Sequence, residues 1–217
     1  MTQFCQDTSL LALEPVVYLD PAEVCRAIAV GTDATLAGTT LSDPAADFIS
    51  AGVAAGMVLC AWTIAPSEGD AWEIASVDSA TQLTVSVLRA DAEGDAIAPP
   101  AATGLSYAVR TLAPTIVDIS ATLGERMRWA AETGGISTVD FADSAQLAST
   151  TACGVLAAVF VSRAGAASSH DANWVKAEHY RSRYQAMQLQ LRLAVDADGD
   201  GVAEQTRTLG NVTLRRR

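Results

Sequence analysis

The sequence predicts an α+β fold: an α-helical bundle of about four helices, an inserted small antiparallel β module and an extended C-terminal tail. Apolar residues recur at helical spacing near the start of the chain and again after Pro114, whereas short alternating runs fill the stretch between them. The 217 residues, half of them apolar, suffice for one core or for a core with a smaller module.

Residues 1–29 are predicted to form the N-terminal helices of the bundle. Asp7 and Ser9 are suitable N-caps for a first helix. Pro15 interrupts the helical pattern, because a proline inside a helix removes a hydrogen bond and clashes with the preceding turn. Asp20-Pro21 then predicts the start of a second short helix with proline at its first position.

Residues 30–114 predict the β module. Turn-forming residues at 67–70 and 78–81 and a loop at 91–103 separate the expected strands. This pattern predicts a curled sheet or small barrel of roughly 80 residues. The strands are expected within Met57–Ile64, Ala71–Val77, Gln82–Leu88 and Ser106–Leu112, after a Thr- and Gly-rich stretch at Thr32–Leu41.

Residues 115–195 predict the rest of the bundle, beginning with a helix that ends at Gly134-Gly135. Ile116, Ile119, Leu123 and Met127 share one face of this helix.

The next helix is predicted to begin at Ser137-Thr138-Val139-Asp140, an acidic variant of the capping box. Its apolar stripe runs from Phe141 to Val159. A second apolar flank, which includes Leu156, predicts a helix that is surrounded on most sides.

A last helix is predicted to begin at Asp171 as its N-cap. Its apolar stripe steps from Ala177 to Ala194. Because the opposite face carries Arg181 and Arg183, this helix is expected to be exposed on one side.

Residues 196–217 contain a motif, Asp196-Ala197-Asp198-Gly199-Asp200-Gly201, that resembles the opening of a calcium loop. A full loop ends with a bidentate Glu at position 12, where this sequence has Arg207, although Glu204 could supply one ligand. Two interpretations stay open: a weak calcium site over Asp196 to Glu204, or a helix end at which the Asp side chains accept from free backbone N–H groups. We favour the helix end and predict no metal and no cofactor.

Two histidines are the candidates for catalysis, and neither is convincing. His170 adjoins Ser168, Ser169 and Asp171, but neighbouring residues in a loop cannot form a catalytic triad. His179 lies in the last predicted helix, where packing or solvent exposure is the simpler interpretation. A hydrolase that uses either histidine is therefore the weakest alternative, and we predict that the protein is not an enzyme and has no catalytic residue.

The tryptophans and the tail are candidates for contacts. Trp62, Trp72 and Trp174 are predicted to anchor cores, whereas Trp129, between arginines, is a candidate for an interface between subunits. The tail, Thr206 to Arg217, favours an extended conformation and ends in arginines. It either adds as an edge strand to another chain, with its arginines meeting an acidic partner, or is a frayed terminus.

Charge and cysteines limit the function classes. A net charge of −11 argues against a groove that binds nucleic acid by neutralising phosphates, but it allows a surface past which DNA slides. The four cysteines form no C-x-x-C pair, which argues against a zinc site, and the first residues do not resemble a signal peptide. We therefore expect reduced thiols in the cytosol.

Several stretches together resemble head-tail connector (adaptor, or head-completion) proteins of tailed bacteriophages. They are Leu10–Pro15, Asp47–Val53 with Gly56–Val58, Ser76–Ser86, Lys176–Arg181 and Asp196–Gly201. The resemblance spans most of the chain, and its motifs are structural rather than catalytic. Small adaptors of this class are mainly helical bundles, so the long β module departs from the pattern.

The resemblance implies a structural virion protein of the phage neck, assembled in the cytoplasm of the bacterial host. It implies a homo-oligomeric ring of about twelve copies beneath the portal, built by head-to-tail contacts between different patches of each subunit. It further implies that the C-terminal tail engages the portal protein, that a tail or tail-completion protein lies beyond, and that DNA passes through the lumen without sequence-specific binding. No membrane is implied. The alternative within the same class is another phage ring, such as a tail-completion protein.

Overall fold

The computed structural model describes residues 3–20, 25–134, 138–141, 143–164, 171–196 and 205–208. The chain divides into two compact units. We call Gln6–Ala113 the barrel unit, and Met1–Cys5 together with Pro114–Arg217 the helical unit.

Six antiparallel strands close into a barrel in the barrel unit, in the order β1-β2-β5-β4-β3-β6. The predicted fold class, a helical bundle with a small inserted β module, is therefore wrong: a closed barrel is half of the architecture. The strands are β1 (Arg26–Ala37), β2 (Thr40–Ser42), β3 (Val58–Trp62), β4 (Asp70–Ser79), β5 (Gln82–Ser86) and β6 (Ala102–Thr111).

Strand β1 closes the barrel because it pairs along its length with β6 and at its end with β2. Three register shifts interrupt its pairing with β6. Such bulges bend a strand and increase its twist, which allows a sheet to curl onto itself. The barrel interior is apolar, with Phe48, Leu59, Trp72, Ile74, Leu83, Val85, Tyr107 and Val109 among its buried members.

Two short helices, α1 (Asp7–Leu11) and α2 (Val16–Leu19), belong to the barrel unit rather than to a bundle. The predicted N-caps are wrong, because Gln6 occupies that position and makes no side-chain cap. The helix predicted from Asp20-Pro21 is also misplaced: α2 ends at Leu19, and β1 begins at Arg26, where we expected helix. Proline at a helix start and proline after a helix end give the same local signal.

Three long helices dominate the helical unit: α3 (Ala113–Gly134), α4 (Ser144–Arg163) and α5 (Ala172–Gln190). The predicted inner face of α3 is confirmed, since Leu123 is fully buried and Ile119 packs against the same small cluster, with Leu147 and Leu191. The expectation that α4 is surrounded on most sides is confirmed as well. Asp171 caps α5 as predicted, accepting from the backbone N–H of Asn173 at 2.8 Å.

A second sheet, absent from the sequence prediction, lies in the helical unit. Its strands β7 (Thr138–Phe141), β8 (Arg192–Asp196) and β9 (Gln205–Thr208) are antiparallel in the order β7-β8-β9. The predicted capping box is therefore wrong: Thr138–Phe141 is a strand, and the N-cap of α4 is Asp143, which accepts from the N–H of Gln146 at 3.0 Å. Pairing with residues more than fifty positions away overrides the local signal, and such pairing cannot be seen in a window of sequence.

Because of this sheet, the predicted helix end at Asp196 is wrong, and the start of the predicted tail pairs within the chain. The last helix ends at Gln190, and Asp196 ends a strand instead. Thr206 to Thr208 are extended, but they pair with β8 of the same chain. Residues 197–204 and 209–217 lie outside the described residues.

Helix α4 is also long and apolar enough to cross a membrane by length and composition alone. Of its apolar window, 61% is buried inside the protein. The burial is that of a core helix, so we assign α4 to the core of the helical unit.

Candidate functional site

A groove of about 300 Å³ lies on the helical unit, lined by all three long helices. We call it the arginine groove, after its two cationic residues, Arg126 of α3 and Arg181 of α5. The other lining residues are Gly154, Ala157, Ala158 and Val161 of α4 and Tyr184, Gln185 and Gln188 of α5.

The floor of the groove is made of small and apolar residues of α4. A Cβ at Gly154 would lie 2.9 Å from the Cγ2 of Ile119 and 2.9 Å from the Cε2 of Tyr184, so only glycine allows the neighbouring side chains to pack this closely. Further along α4, Ala158 is exposed and Val161 is 47% exposed. The floor thus exposes apolar surface.

The wall formed by α5 carries polar groups. Arg126 Nη1 donates to Gln188 Oε1 at 2.5 Å, which joins α3 to α5. The Tyr184 hydroxyl and Gln188 Nε2 are buried, and neither makes a hydrogen bond of regular geometry with another described residue. Burial raises the pKa of Tyr184, and the charge of Arg126 and the nearby Gln188 amide oppose that shift.

The rim of the groove is cationic on a strongly acidic chain. Arg181 Nη1 lies 3.6 Å from Glu178 Oε1, in a pair whose side chains are both about half exposed. An exposed pair of this kind is weak and exchanges readily. Arg126 and Arg181 are both exposed, so both guanidinium groups are accessible to an anionic group.

The predicted catalytic candidates are not brought together. His170 lies outside the described residues. His179 is exposed on α5, and its ring packs edge-on against Tyr180, 5.2 Å between centroids. Tyr180 in turn stacks on Phe160 at 5.9 Å, so His179 covers an aromatic pair.

The calcium-like motif lies mostly outside the described residues, since only Asp196 of its six residues is placed. Arg207, at the position that needs a bidentate Glu, is opposite Leu193 in the β8–β9 pairing. Across the described residues there is no group of three or more His, Cys, Asp or Glu side chains that could hold a metal ion.

The tryptophans differ in burial. Trp72 is 7% exposed and lies in the barrel core, as predicted. Trp62 and Trp174 are half-buried, and the side chain of Trp129 lies outside the described residues. No disulfide joins any two of the four cysteines, all of which are described.

Polar groups buried in the barrel unit are matched to one another. The Asp7 carboxylate accepts from the Tyr18 hydroxyl at 2.8 Å, the Thr111 hydroxyl at 2.6 Å and the Leu112 N–H at 2.7 Å. Burial raises the pKa of Asp7, even though these hydrogen bonds oppose the shift. The contacts tie α1 and α2 to the end of β6, which is a structural role.

A second buried carboxylate, that of Asp43, is hydrogen-bonded to a tyrosine of the barrel core. It accepts from the Tyr107 hydroxyl at 2.8 Å and from the Ala45 N–H at 2.9 Å. Burial raises the pKa of Tyr107, and the hydrogen bond to Asp43 adds to the shift. Gly31 lies against this pair, where a Cβ would overlap both the Tyr107 ring and the Asp43 carboxylate.

Sequence analysis identified Arg181 as an exposed residue but missed the groove. It assigned Tyr184 to an apolar stripe and did not connect Arg126 with Gln188, 62 residues later. The available signal was Arg181, Tyr184 and Gln188 at spacings of three and four on one helix, a polar row beside the apolar stripe. No protein-family model, curated protein or solved structure matches the chain.

Proposed function

We propose that the chain is a non-enzymatic structural protein of tailed bacteriophages, an adaptor ring subunit that joins the portal of the head to the tail. The observation that carries this proposal is the arginine groove, with its apolar floor and two accessible cations on a chain of net charge −11. Such a surface suits a neighbouring polypeptide better than an enclosed substrate. The resemblance to head-tail connector proteins supports the same conclusion.

The charge of the chain fits a ring through which DNA passes. An acidic lumen repels phosphates and so lets the genome slide, whereas a basic lumen would retain it by counterion release. The basic residues of the tail, Arg215 to Arg217, would instead meet the portal. Another phage ring, such as a tail-completion protein, is the alternative, since it would share the groove and the charge.

Mass measurement tests the proposal. Native mass spectrometry and negative-stain electron microscopy would be applied to the purified chain, alone and with the portal protein of the same genome. We expect a closed ring of defined copy number, at least on the portal. A chain that stays monomeric in both conditions would contradict the proposal.

Truncation separates the adaptor from a tail-completion ring. Removing residues 209–217 leaves β9 and its pairing with β8 intact. An adaptor is expected to lose portal binding while its ring contacts persist. Unchanged portal binding would remove the role of the tail and favour the alternative ring.

A further inference from the structure

The loop between β5 and β6, residues 87–97, is an ordered projection of the barrel unit; we call it the acidic loop. A bridge between Val87 and Ile97 closes its base, with the Val87 N–H donating to the Ile97 carbonyl at 2.9 Å. At its tip, the Glu93 N–H donates to Asp91 Oδ1 at 3.0 Å and the Gly94 N–H donates to the Asp91 carbonyl at 3.1 Å. The loop is therefore shaped before it meets any partner.

Arg89 holds the loop from inside. Its Nε contacts the Glu73 carboxylate, and its Nη1 donates to the Gly94 carbonyl. Glu73 is 4% exposed, so the charge of Arg89 is used to balance a buried anion.

The three carboxylates of the tip, Asp91, Glu93 and Asp95, are all exposed and have no described cation within ion-pair distance. Apolar side chains flank these carboxylates. Val87 is 40% exposed and Ile97 is 52% exposed. The surface of the acidic loop therefore combines anions at the tip with apolar area at the base.

We propose that the acidic loop of one copy of this chain docks in the arginine groove of a neighbouring copy. The match has two parts: carboxylates of the tip meet Arg126 and Arg181, while Val87 and Ile97 cover the exposed Ala158 and Val161. The inference rests on the proposed ring function and names its subunit contact. Because the two patches differ, the contact is head-to-tail, as a ring requires.

Paired charge reversal tests the contact with the full chain. Arg126→Glu with Arg181→Glu reverses the groove, and Asp91→Lys with Glu93→Lys reverses the loop. Each double variant alone is expected to self-associate about tenfold more weakly or worse. An equimolar mixture should recover assembly, because every loop then meets a groove of opposite charge on the other variant. Sedimentation velocity measures all three samples.

Two single substitutions control for a general effect of charge. Arg128→Glu changes an exposed cation that does not line the groove, and Asp33→Lys changes an exposed anion of β1 outside the loop. Both are expected to assemble as the unmodified chain does. Thermal denaturation checks that every variant folds.

Disulfide cross-linking reports weak association that sedimentation misses. Ala92→Cys places a thiol on the loop and Ala158→Cys places one at the groove, and both alanines are exposed. Mixing the two variants under mild oxidation should give a mixed dimer in clear excess over either variant alone. Since the new thiols are on different molecules, the product cannot arise within one chain.

The outcomes distinguish the two proposals. Assembly of the unmodified chain together with unaffected reversal variants and no mixed dimer would overturn the docking contact but leave the ring. Absence of any assembly, alone or on the portal, and of any mixed dimer would overturn both. Recovery only in the mixed sample, with the mixed disulfide, supports the contact.

Discussion

The two units differ in how well their buried polar groups are hydrogen-bonded. In the barrel unit, Asp7 and Asp43 each accept hydrogen bonds from several buried donors. In the helical unit, the buried atoms Tyr184 Oη and Gln188 Nε2 make no hydrogen bond of regular geometry among the described residues, and both residues line the arginine groove. Unmatched buried polar groups cost stability. The difference indicates that buried polar groups are better matched in the barrel unit than along the arginine groove of the helical unit.

The largest expected effect breaks the barrel side of this comparison. Asp7→Ala removes the acceptor of the Tyr18 and Thr111 hydroxyls and of the Leu112 N–H. Leaving these buried donors without an acceptor should lower the free energy of unfolding by about 3 kcal/mol. Urea denaturation followed by tryptophan fluorescence measures it. Asp47→Ala, at an exposed carboxylate that accepts from the Ser50 N–H at 3.0 Å, is the control and should cost under about 1 kcal/mol; equal losses would contradict the role of Asp7.

A steric change has the next largest effect. Gly31→Ala places a Cβ against the Tyr107 ring and the Asp43 carboxylate, which should cost about 2 kcal/mol through overpacking. Gly124→Ala is the matched control, because no atom lies within 4 Å of the added Cβ and the position is helical. It should stabilise the chain by up to about 1 kcal/mol. Thermal denaturation gives both signs, and a neutral Gly31→Ala would show that the pair can move aside.

A matched pair of tyrosines sharpens the comparison directly. Tyr107→Phe removes the donor to buried Asp43 and should cost about 1.5 kcal/mol. Tyr184→Phe removes a buried hydroxyl that makes no hydrogen bond of regular geometry among the described residues and should change stability by less than about 0.5 kcal/mol. Chemical denaturation measures the loss in free energy of unfolding for each variant. Equal losses would mean that Tyr184 is as well matched as Tyr107.

The smallest expected effect is a pH dependence. Burial raises the pKa of Asp7 above its ordinary value of 3.8. When the folded pKa of a carboxyl exceeds its unfolded pKa, its protonation stabilises the folded state. This stabilisation is complete at a pH below the unfolded pKa and is lost as the pH rises through the folded pKa. The stability of the unmodified chain relative to Asp7→Asn should therefore fall as the pH rises from the unfolded pKa of Asp7 through its folded pKa. Denaturation from pH 3 to 7 tests the slope, and a relative stability that rises with pH would reverse the assignment.

Sequence analysis located the elements whose side-chain pattern is local. Strand β3 is a short continuous apolar run, the sequences of β4 and β5 alternate, and α3, α4 and α5 keep an apolar stripe, so local pattern places them. It failed where pairing partners are distant. Strand β1 closes the barrel against β6, and Thr138 pairs with Asp196, contacts that no short window contains.

The arginine groove was missed for the same reason. Arg126, Gly154 and Gln188 come from three helices, and each is unremarkable in its own segment. Only the packing of α3, α4 and α5 brings the polar row of α5 beside the small residues of α4. The exposed arginines of α5, by contrast, could be expected from the sequence, because one helix determines their face.

Closure of the barrel limits the ways in which copies of this protein can associate at high concentration. Within Arg26–Thr111 each strand has a hydrogen-bonded neighbour on both sides, although β2 pairs with β1 only over Thr35–Ala37. Fewer backbone groups are left to recruit a strand from another molecule than in an open sheet. Association through this unit then relies mainly on side chains, which salt and charge substitutions can weaken and restore. An open sheet of these same six strands would instead expose long unpaired edges, which can recruit other chains into fibres.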